Sequence, residues 1–293
     1  MQELHGKTAV ITGAGDGMGR AIALAFARHG MHIVAADIDE ARLTSVGNEL
    51  RALGVEVLLQ RTDVADPEQV RLLCDASYDR FKHVHLLVNN AGVVGSLSTR
   101  LRDIDLRAWD WVLDINLKGV VYGLHYFLPR MLDGGEPGHI VNTASMAGLS
   151  SGLGGGAYTA SKHAVVAISR TLKAETEGSQ IGVSVLCPSF VNTNLVHNTK
   201  TLVAGRNDMP SDPRAAGIDV GAMARLQDYV AAGIQPEQVA EMVVDSVRCN
   251  RFYILTHPES LEGLEQNTWQ QIRDDHTDLQ LKFNPPETDT ADD

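Results

Sequence analysis

TGAGDGMG, residues 12–19, stands between an apolar β-branched run, TAVITG (8–13), and a segment of helical period, GRAIALAFARHG (19–30). Strand, glycine turn and helix in immediate succession open a βαβ unit. The spacing does not fit G-x-G-x-x-G from Gly13, because residue 18 is Met; Gly13, Gly17 and Gly19 instead form T-G-x-x-x-G-x-G. Glycines at such a turn let the backbone approach a pyrophosphate, and the amino end of the following helix attracts its charge. The competing reading is a merely flexible glycine loop.

The alternation continues along the chain. HIVAAD (32–37) reads as a second strand, 39–53 as a helix and VEVLLQRTDV (55–64) as a third strand, and Pro67 suits the first turn of the next helix. HLLVNNAG (85–92), HIVNTAS (139–145), VSVLCPS (183–189) and RFYILTH (251–257) read as further strands, with helices over 105–132, 156–177 and 236–249. Strands alternating with helices through right-handed crossovers predict an α/β fold, a Rossmann-type doubly wound parallel sheet of about seven strands with helices on both faces. Residues 1–283 are expected to form a single domain. Within it, 192–235 is polar, contains Gly and Pro, and is placed as a substrate lid on the carboxyl side of the sheet. The tail 284–293, NPPETDTADD, has the composition of a disordered segment.

Composition narrows the function. The 293 residues are 44% hydrophobic and 5% aromatic, which suits a buried parallel sheet of small aliphatic side chains. A net charge of −12 argues against nucleic acid and anionic membranes as partners. Cys74, Cys187 and Cys249 are far apart and odd in number, which favours a reducing, cytoplasmic setting over a disulfide framework. The opening MQELHGKTAVITG has no basic n-region or long apolar run, so no signal peptide is expected, and no stretch reaches the length of a membrane span.

Asp37 closes the second strand about twenty residues after the glycine turn. A carboxylate there can accept hydrogen bonds from both adenosine ribose hydroxyls and would repel a 2′-phosphate. The turn holds no Lys or Arg and carries Asp16; Arg42 is the one nearby cation that complicates the choice, so NAD is favoured over NADP. Alternatively, Asp37 only caps the helix that begins near Asp39.

YTASK places Tyr158 four residues before Lys162, one helical turn away on the same face. A phenol of pKa about 10 is a poor acid or base at neutral pH unless a cation stabilises the phenolate. An exposed Tyr and Lys one turn apart is also an ordinary surface pair.

Together these stretches resemble the single-domain branch of the short-chain dehydrogenase/reductases, over roughly residues 5–257. The carriers are TGAGDGMG, Asp37, Asp63-Val64, NNAG (89–92), Asn116 in DINLKGV, Ser145 in NTASMAG thirteen residues before Tyr158, and YTASK. The resemblance implies that Tyr158 is the general acid/base, that Lys162 holds the nicotinamide ribose and lowers the phenol pKa, and that Ser145 binds the substrate oxygen. It implies that Asn116 holds a water linking Lys162 to solvent. For the cofactor, NAD, it implies Gly13, Asp16, Gly17, Met18 and Gly19 at the turn, Asp37 and Ile38 at the ribose, and Asp63 and Val64 at the adenine. Asn90, Ala91 and Gly92 would lie along the middle, and Pro188, Ser189, Val191 and Thr193 with Tyr158 and Lys162 at the nicotinamide end. The family's usual Pro-Gly after the sixth strand is Pro188-Ser189 here, which narrows backbone freedom and points to an altered substrate preference. His85 stands where an Asp is common.

Other chemistries fit less well. Ser145 and His163 lack a G-x-S-x-G elbow. His29, His32, His83 and His85 have no acidic or Cys partners at zinc spacing, so no metal is expected and they read as surface or sheet-edge residues. Trp109 and Trp111 read as structural. The expected activity is NAD-dependent interconversion of a secondary alcohol and a ketone. The small residues of GLSSGLGGGAY (148–158) leave space beside Tyr158 for a bulky aromatic, alicyclic or steroid-like substrate. A 3-oxoacyl thioester reductase and a non-catalytic NAD-sensing protein are the alternatives. By the resemblance, helices 105–132 and 156–177 would pair subunits into a homodimer or homotetramer.

Overall fold

The computed structural model describes residues 1–95, 100–151, 155–205, 220–264, 270 and 272–276. Seven strands run parallel in one sheet of order β3-β2-β1-β4-β5-β6-β7. They are β1 (Thr8–Thr12), β2 (His32–Asp37), β3 (Val57–Arg61), β4 (Leu86–Asn89), β5 (Gly138–Thr143), β6 (Ile181–Cys187) and β7 (Tyr253–Leu255). The order reverses between β1 and β4, and at this point the helices leaving the two strands go to opposite faces and open a crevice at the carboxyl ends.

Helices α1 (Gly17–Arg28), α2 (Glu40–Ala52) and α3 (Pro67–Phe81) begin at Asp16, Asp39 and Asp66, whose side chains accept the first free backbone N–H groups. Alternate strand residues feed two cores. Ala9, Ile11, Ile33 and Val88 pack against α1, α2 and α9 (Pro236–Cys249), and Val10, Val34 and Leu87 pack against Leu73 of α3 and Phe127. This is the doubly wound α/β sheet expected from the alternation.

The expected helix over 105–132 is helical but not uniform. It comprises α4 (Leu106–Leu113), a π turn (Asp114–Lys118) and α5 (Gly119–Asp133). The bulge lies where the fully buried Asn116 turns inward to bond the Val93 backbone, an extra-residue accommodation that apolar period does not reveal. Beyond it α5 lies close to its neighbours through two glycines, since a Cβ on Gly123 would sit 2.2 Å from Asn89 Oδ1 and one on Gly119 3.0 Å from Val64 Cγ2. The third strand is shorter than 55–64.

Helix α6 (Gly156–Glu175) precedes β6, and α7 (Leu195–Ala204) and α8 (Val220–Ala231) fall in the expected lid. A bridge between Val191 and Ile234 closes the base of that excursion. Residues 206–219, 152–154 and the tail 284–293 lie outside the described residues. By contact density the chain divides into two units, Met1–Thr256 and His257–Asp293. The second contains a 3-10 turn (Pro258–Ser260) that runs into a short helix (Leu261–Leu264).

Candidate active site

The crevice is built first from Thr12. Its hydroxyl accepts the N–H groups of Asn90 at 2.9 Å and Ala91 at 3.1 Å, tying the end of β1 to the loop after β4. Asn90 Nδ2 donates back to Thr12 O at 3.0 Å, while its Oδ1 is buried with no partner. Gly13 has φ +65°, and a Cβ there would lie 2.9 Å from Ala91 Cα; a Cβ on Gly19 would lie 2.0 Å from Gly13 O. Only glycine fits either position, and the two together let backbone line the crevice. Thr12 and this mutual packing are missed by a reading of glycine spacing alone.

A cavity of about 300 Å³ follows the crevice. The structure brings to it Gly13, Asp16, Gly17, Met18 and Gly19 from the turn, Asp37 and Ile38 from β2, Asp63 and Val64 from the end of β3, Asn90, Ala91 and Gly92 after β4, and Thr193. Asp37 does not cap α2, a task that Asp39 performs; it accepts the N–H of Gly15 at 2.8 Å and of Asp39 at 3.0 Å. Asp63 Oδ1 accepts the N–H of Ala65 at 2.9 Å. Trp111, read as structural, is buried in an apolar cluster and also lines the cavity, with Ile115 and with Leu195, Asn198 and Leu202 of α7. The sequence places α7 in a lid without saying which of its residues turn inward.

Tyr158, Lys162, Ser145, Pro188, Ser189 and Val191 are not on this cavity's lining. They gather instead at the carboxyl ends of β5 and β6. Ser145 follows β5, caps the short turn Met146–Gly148 through the Ala147 N–H at 3.1 Å, and donates to Pro188 O at 3.3 Å. Tyr158 enters from the first turn of α6 and hydrogen-bonds Ser145. Burial holds its phenol above the ordinary value, against the lowering effect of that bond. Lys162, one turn later, is buried and donates to Thr143 O at 2.9 Å. Burial lowers its ammonium to about 8, with the Cys187 thiol opposing. Asn116 Oδ1 accepts the Val93 N–H at 2.8 Å, and its Nδ2 donates to Val93 O at 2.9 Å and to Ser161 Oγ at 3.3 Å. A Cβ on Gly92 would lie 3.1 Å from Asn116 Oδ1 and 3.6 Å from Lys162 Nζ, so both groups flank this glycine and join the two halves of the site.

Ser189 is accommodated where glycine was expected. Its φ is not in the left-handed region, and its N–H donates to Thr256 Oγ1 at 3.1 Å. The Val191–Ile234 bridge uses Phe190 O and the Asn192 N–H, which leaves Val191's own peptide groups outside it. His85 is buried at the amino edge of the sheet, where Nδ1 accepts the Thr8 N–H at 3.0 Å; burial lowers it to about 4, so it is a neutral structural residue. His163 contacts Thr159 O on its own helix and takes no part in a triad with Ser145. Among the described residues no cluster of His, Cys, Asp or Glu has the form of a metal site.

A doubly wound sheet with a glycine-bordered crevice at the switch point, and a Tyr–Lys–Ser cluster beside it, defines a nucleotide-binding α/β oxidoreductase. The chain belongs to the short chain dehydrogenase family, whose pattern it matches over residues 7–203. It is 35% identical over 272 residues to 1-deoxy-11-beta-hydroxypentalenate dehydrogenase of Streptomyces exfoliatus, covering 92% of this chain and 90% of the relative. A short chain dehydrogenase/reductase from Burkholderia phymatum, solved in complex with NAD, superposes with a TM-score of 0.84 at 41% identity, covering 98% of this chain and 99% of that one. Carveol dehydrogenase from Mycobacterium avium, also solved with NAD, gives 0.73 at 25% identity over 87% of this chain and 98% of that one.

Proposed function

We propose that the protein is an NAD-dependent alcohol dehydrogenase or ketone reductase that interconverts a bulky apolar secondary alcohol and its ketone. The carrying observation is the convergence of Ser145, Tyr158 and Lys162 beside a crevice whose far end presents Asp37. The NAD complexes of the Burkholderia and Mycobacterium proteins support the cofactor, and the hydroxypentalenate and carveol in the relatives' names support a bulky, hydroxyl-bearing substrate.

The residues fit a dinucleotide. Backbone alone borders the crevice at Gly13 and Gly19, and Asn90 Oδ1 is a buried acceptor with no protein donor. Asp37 would take the ribose hydroxyls, Asp63 and Val64 the adenine, and Val191 and Thr193 the nicotinamide end. When bound, the nicotinamide accepts or returns the hydride at its C4 carbon.

The chain's own groups manage the proton and the geometry. Tyr158 takes the proton from the substrate hydroxyl in oxidation and returns it to the carbonyl oxygen in reduction. Lys162 supplies the cation that makes a phenolate accessible, and Ser145 donates to the same substrate oxygen and fixes its position. Asn116, facing Gly92 opposite Lys162, is assigned to the proton path to solvent. Turnover by a Tyr158→Phe variant, measured on bulky secondary alcohols and ketones with NAD and with NADP, tests this reading. The expected loss is about 10²–10⁴-fold with NAD binding within a few-fold of wild type; persistent turnover would overturn the assignment.

Two wider expectations belong to the same proposal. Exposed Leu106, Val121 and Leu132 on α4 and α5 support assembly into a homodimer or homotetramer. Three free cysteines support a cytoplasmic setting, and no helix among the described residues is long and apolar enough to cross a membrane.

A further inference from the structure

We infer that Asp16 sets cofactor choice by keeping the Arg42 guanidinium occupied, so that releasing Arg42 turns the site toward a 2′-phosphorylated dinucleotide. The inference rests on the NAD reading above and assigns a second determinant beside Asp37.

Arg42 is the one cation among the described residues lining the cavity. It stands where a 2′-phosphate would arrive: a Cβ on Gly15 would lie 2.9 Å from Asp37 Oδ2 and 3.0 Å from Arg42 Cβ, so the Asp37 carboxylate and the Arg42 stem flank one point. By position alone Arg42 would serve as a phosphate receptor, since a guanidinium binds phosphate through paired N–H groups.

Its head is already paired within the same cavity. Nη1 donates to Asp16 Oδ2 at 3.0 Å, Nη2 donates to Asn198 Oδ1 at 2.9 Å, and Nε pairs with Asp39 Oδ2 at 3.2 Å. Every nitrogen of the guanidinium is therefore committed. Asp16 is itself immobilised: Oδ1 accepts the Gly17 N–H at 2.8 Å, and Oδ2 accepts Asn198 Nδ2 at 3.0 Å and Asn194 Nδ2 at 3.1 Å. Burial alone would raise the Asp16 carboxyl, but the bonds from Asn198, Asn194 and Gly17 and the charge of Arg42 outweigh it and hold it ionised. Asp37 keeps its own oxygens on the N–H groups of Gly15 and Asp39.

Asp16 thus opposes a 2′-phosphate in two separable ways. Its charge repels the phosphate with or without Arg42, whereas its grip on the guanidinium matters only while Arg42 is present. A double-variant cycle distinguishes the two.

The probes are 5′-AMP and adenosine 2′,5′-bisphosphate, titrated calorimetrically into wild type, Asp16→Asn, Arg42→Ala and the double variant, with thermal melts to confirm folding. Asp16→Asn keeps an oxygen for the Gly17 N–H and removes the charge that anchors Arg42. The affinity for the bisphosphate relative to 5′-AMP is expected to rise about tenfold in Asp16→Asn, and to return to within about twofold of Arg42→Ala in the double variant. No rise, or a rise just as large without Arg42, overturns the inference. Should Asp16→Asn fold poorly, Asn198→Ala loosens the same guanidinium and should give a smaller, Arg42-dependent rise; its absence overturns the inference equally. Preference of the wild type for the bisphosphate would instead overturn the NAD reading beneath it.

Discussion

The Lys162 ammonium lies 5.7 Å from the centre of the Tyr158 ring, fixed there by its bond to Thr143 O rather than by a carboxylate. A buried cation with one carbonyl partner is available to a phenolate or a ribose, and it is also a cost to the fold.

That cost sets the first prediction. Burial lowers Lys162 from 10.5 to about 8, so between those values the unfolded chain binds more protons and stability rises with pH; below pH 8 the penalty is present in full. The penalty is about 3 kcal/mol, and losing the Thr143 bond returns about 1. Lys162→Met is therefore expected to be about 2 kcal/mol more stable than wild type at pH 7, with the gap closing toward pH 10, and inactive. Urea denaturation at the two pH values measures this, and a less stable variant at pH 7 refutes it.

Ser145 has a structural task besides the proposed one at the substrate oxygen, since it caps the turn Met146–Gly148. Ser145→Ala should lower kcat by about 10²-fold or more and stability by about 1 kcal/mol. Kinetics and thermal melts read the two effects separately. A stability loss with unchanged kcat would restrict Ser145 to the cap.

Gly19→Ala would drive a methyl group into Gly13 O, whereas the exposed Gly54 and Gly178 have no atom within 4 Å of a Cβ. The expected result for Gly19→Ala is a destabilisation of about 3 kcal/mol or more and loss of NAD binding. Dye-monitored melting and NAD titration test it; near-normal affinity would mean that the turn shifts freely.

His139 predicts acid sensitivity. Ser184 Oγ donates to Arg251 O at 2.6 Å, so the contact between His139 Nε2 and Ser184 Oγ at 2.7 Å has the ring donating, and the buried Nδ1 has no partner. Burial lowers His139 from 6.5 to about 3; its neutral-state stability is complete above pH 6.5 and is lost as pH falls toward 3. At pH 5 this amounts to about 2 kcal/mol. The stability difference between wild type and His139→Leu should shift by that amount, in the variant's favour, between pH 8 and pH 5. Parallel unfolding curves at both pH values would exclude the mechanism.

Strands, helices and the glycine turn are legible in the sequence because their signals are local: period, β-branched runs, and Asp or Pro at helix starts. Asp37 and Tyr158 are legible because their place along a strand or helix determines where they emerge. The grip on Asp16 by Asn194 and Asn198 is not, since those residues are 178 and 182 positions away and carry no motif. The inward face of Ile115 falls within the π turn, which no hydrophobic period announces. The partnerless nitrogen of His139 appears only once β5, β6 and the Arg251 backbone are assembled.

The π turn has one more consequence. Deleting one residue from an ordinary helix rotates everything beyond it by about 100°. Here the surplus residue already stands outside the regular spiral, so its removal would heal the helix and leave Gly119 and Gly123 seated against Val64 and Asn89. What would be withdrawn is Asn116 from Val93. Within Asp114–Lys118 the protein can thus shed a residue with the spiral of the helix intact, at the cost of the bonds that Asn116 makes to the buried Val93 backbone.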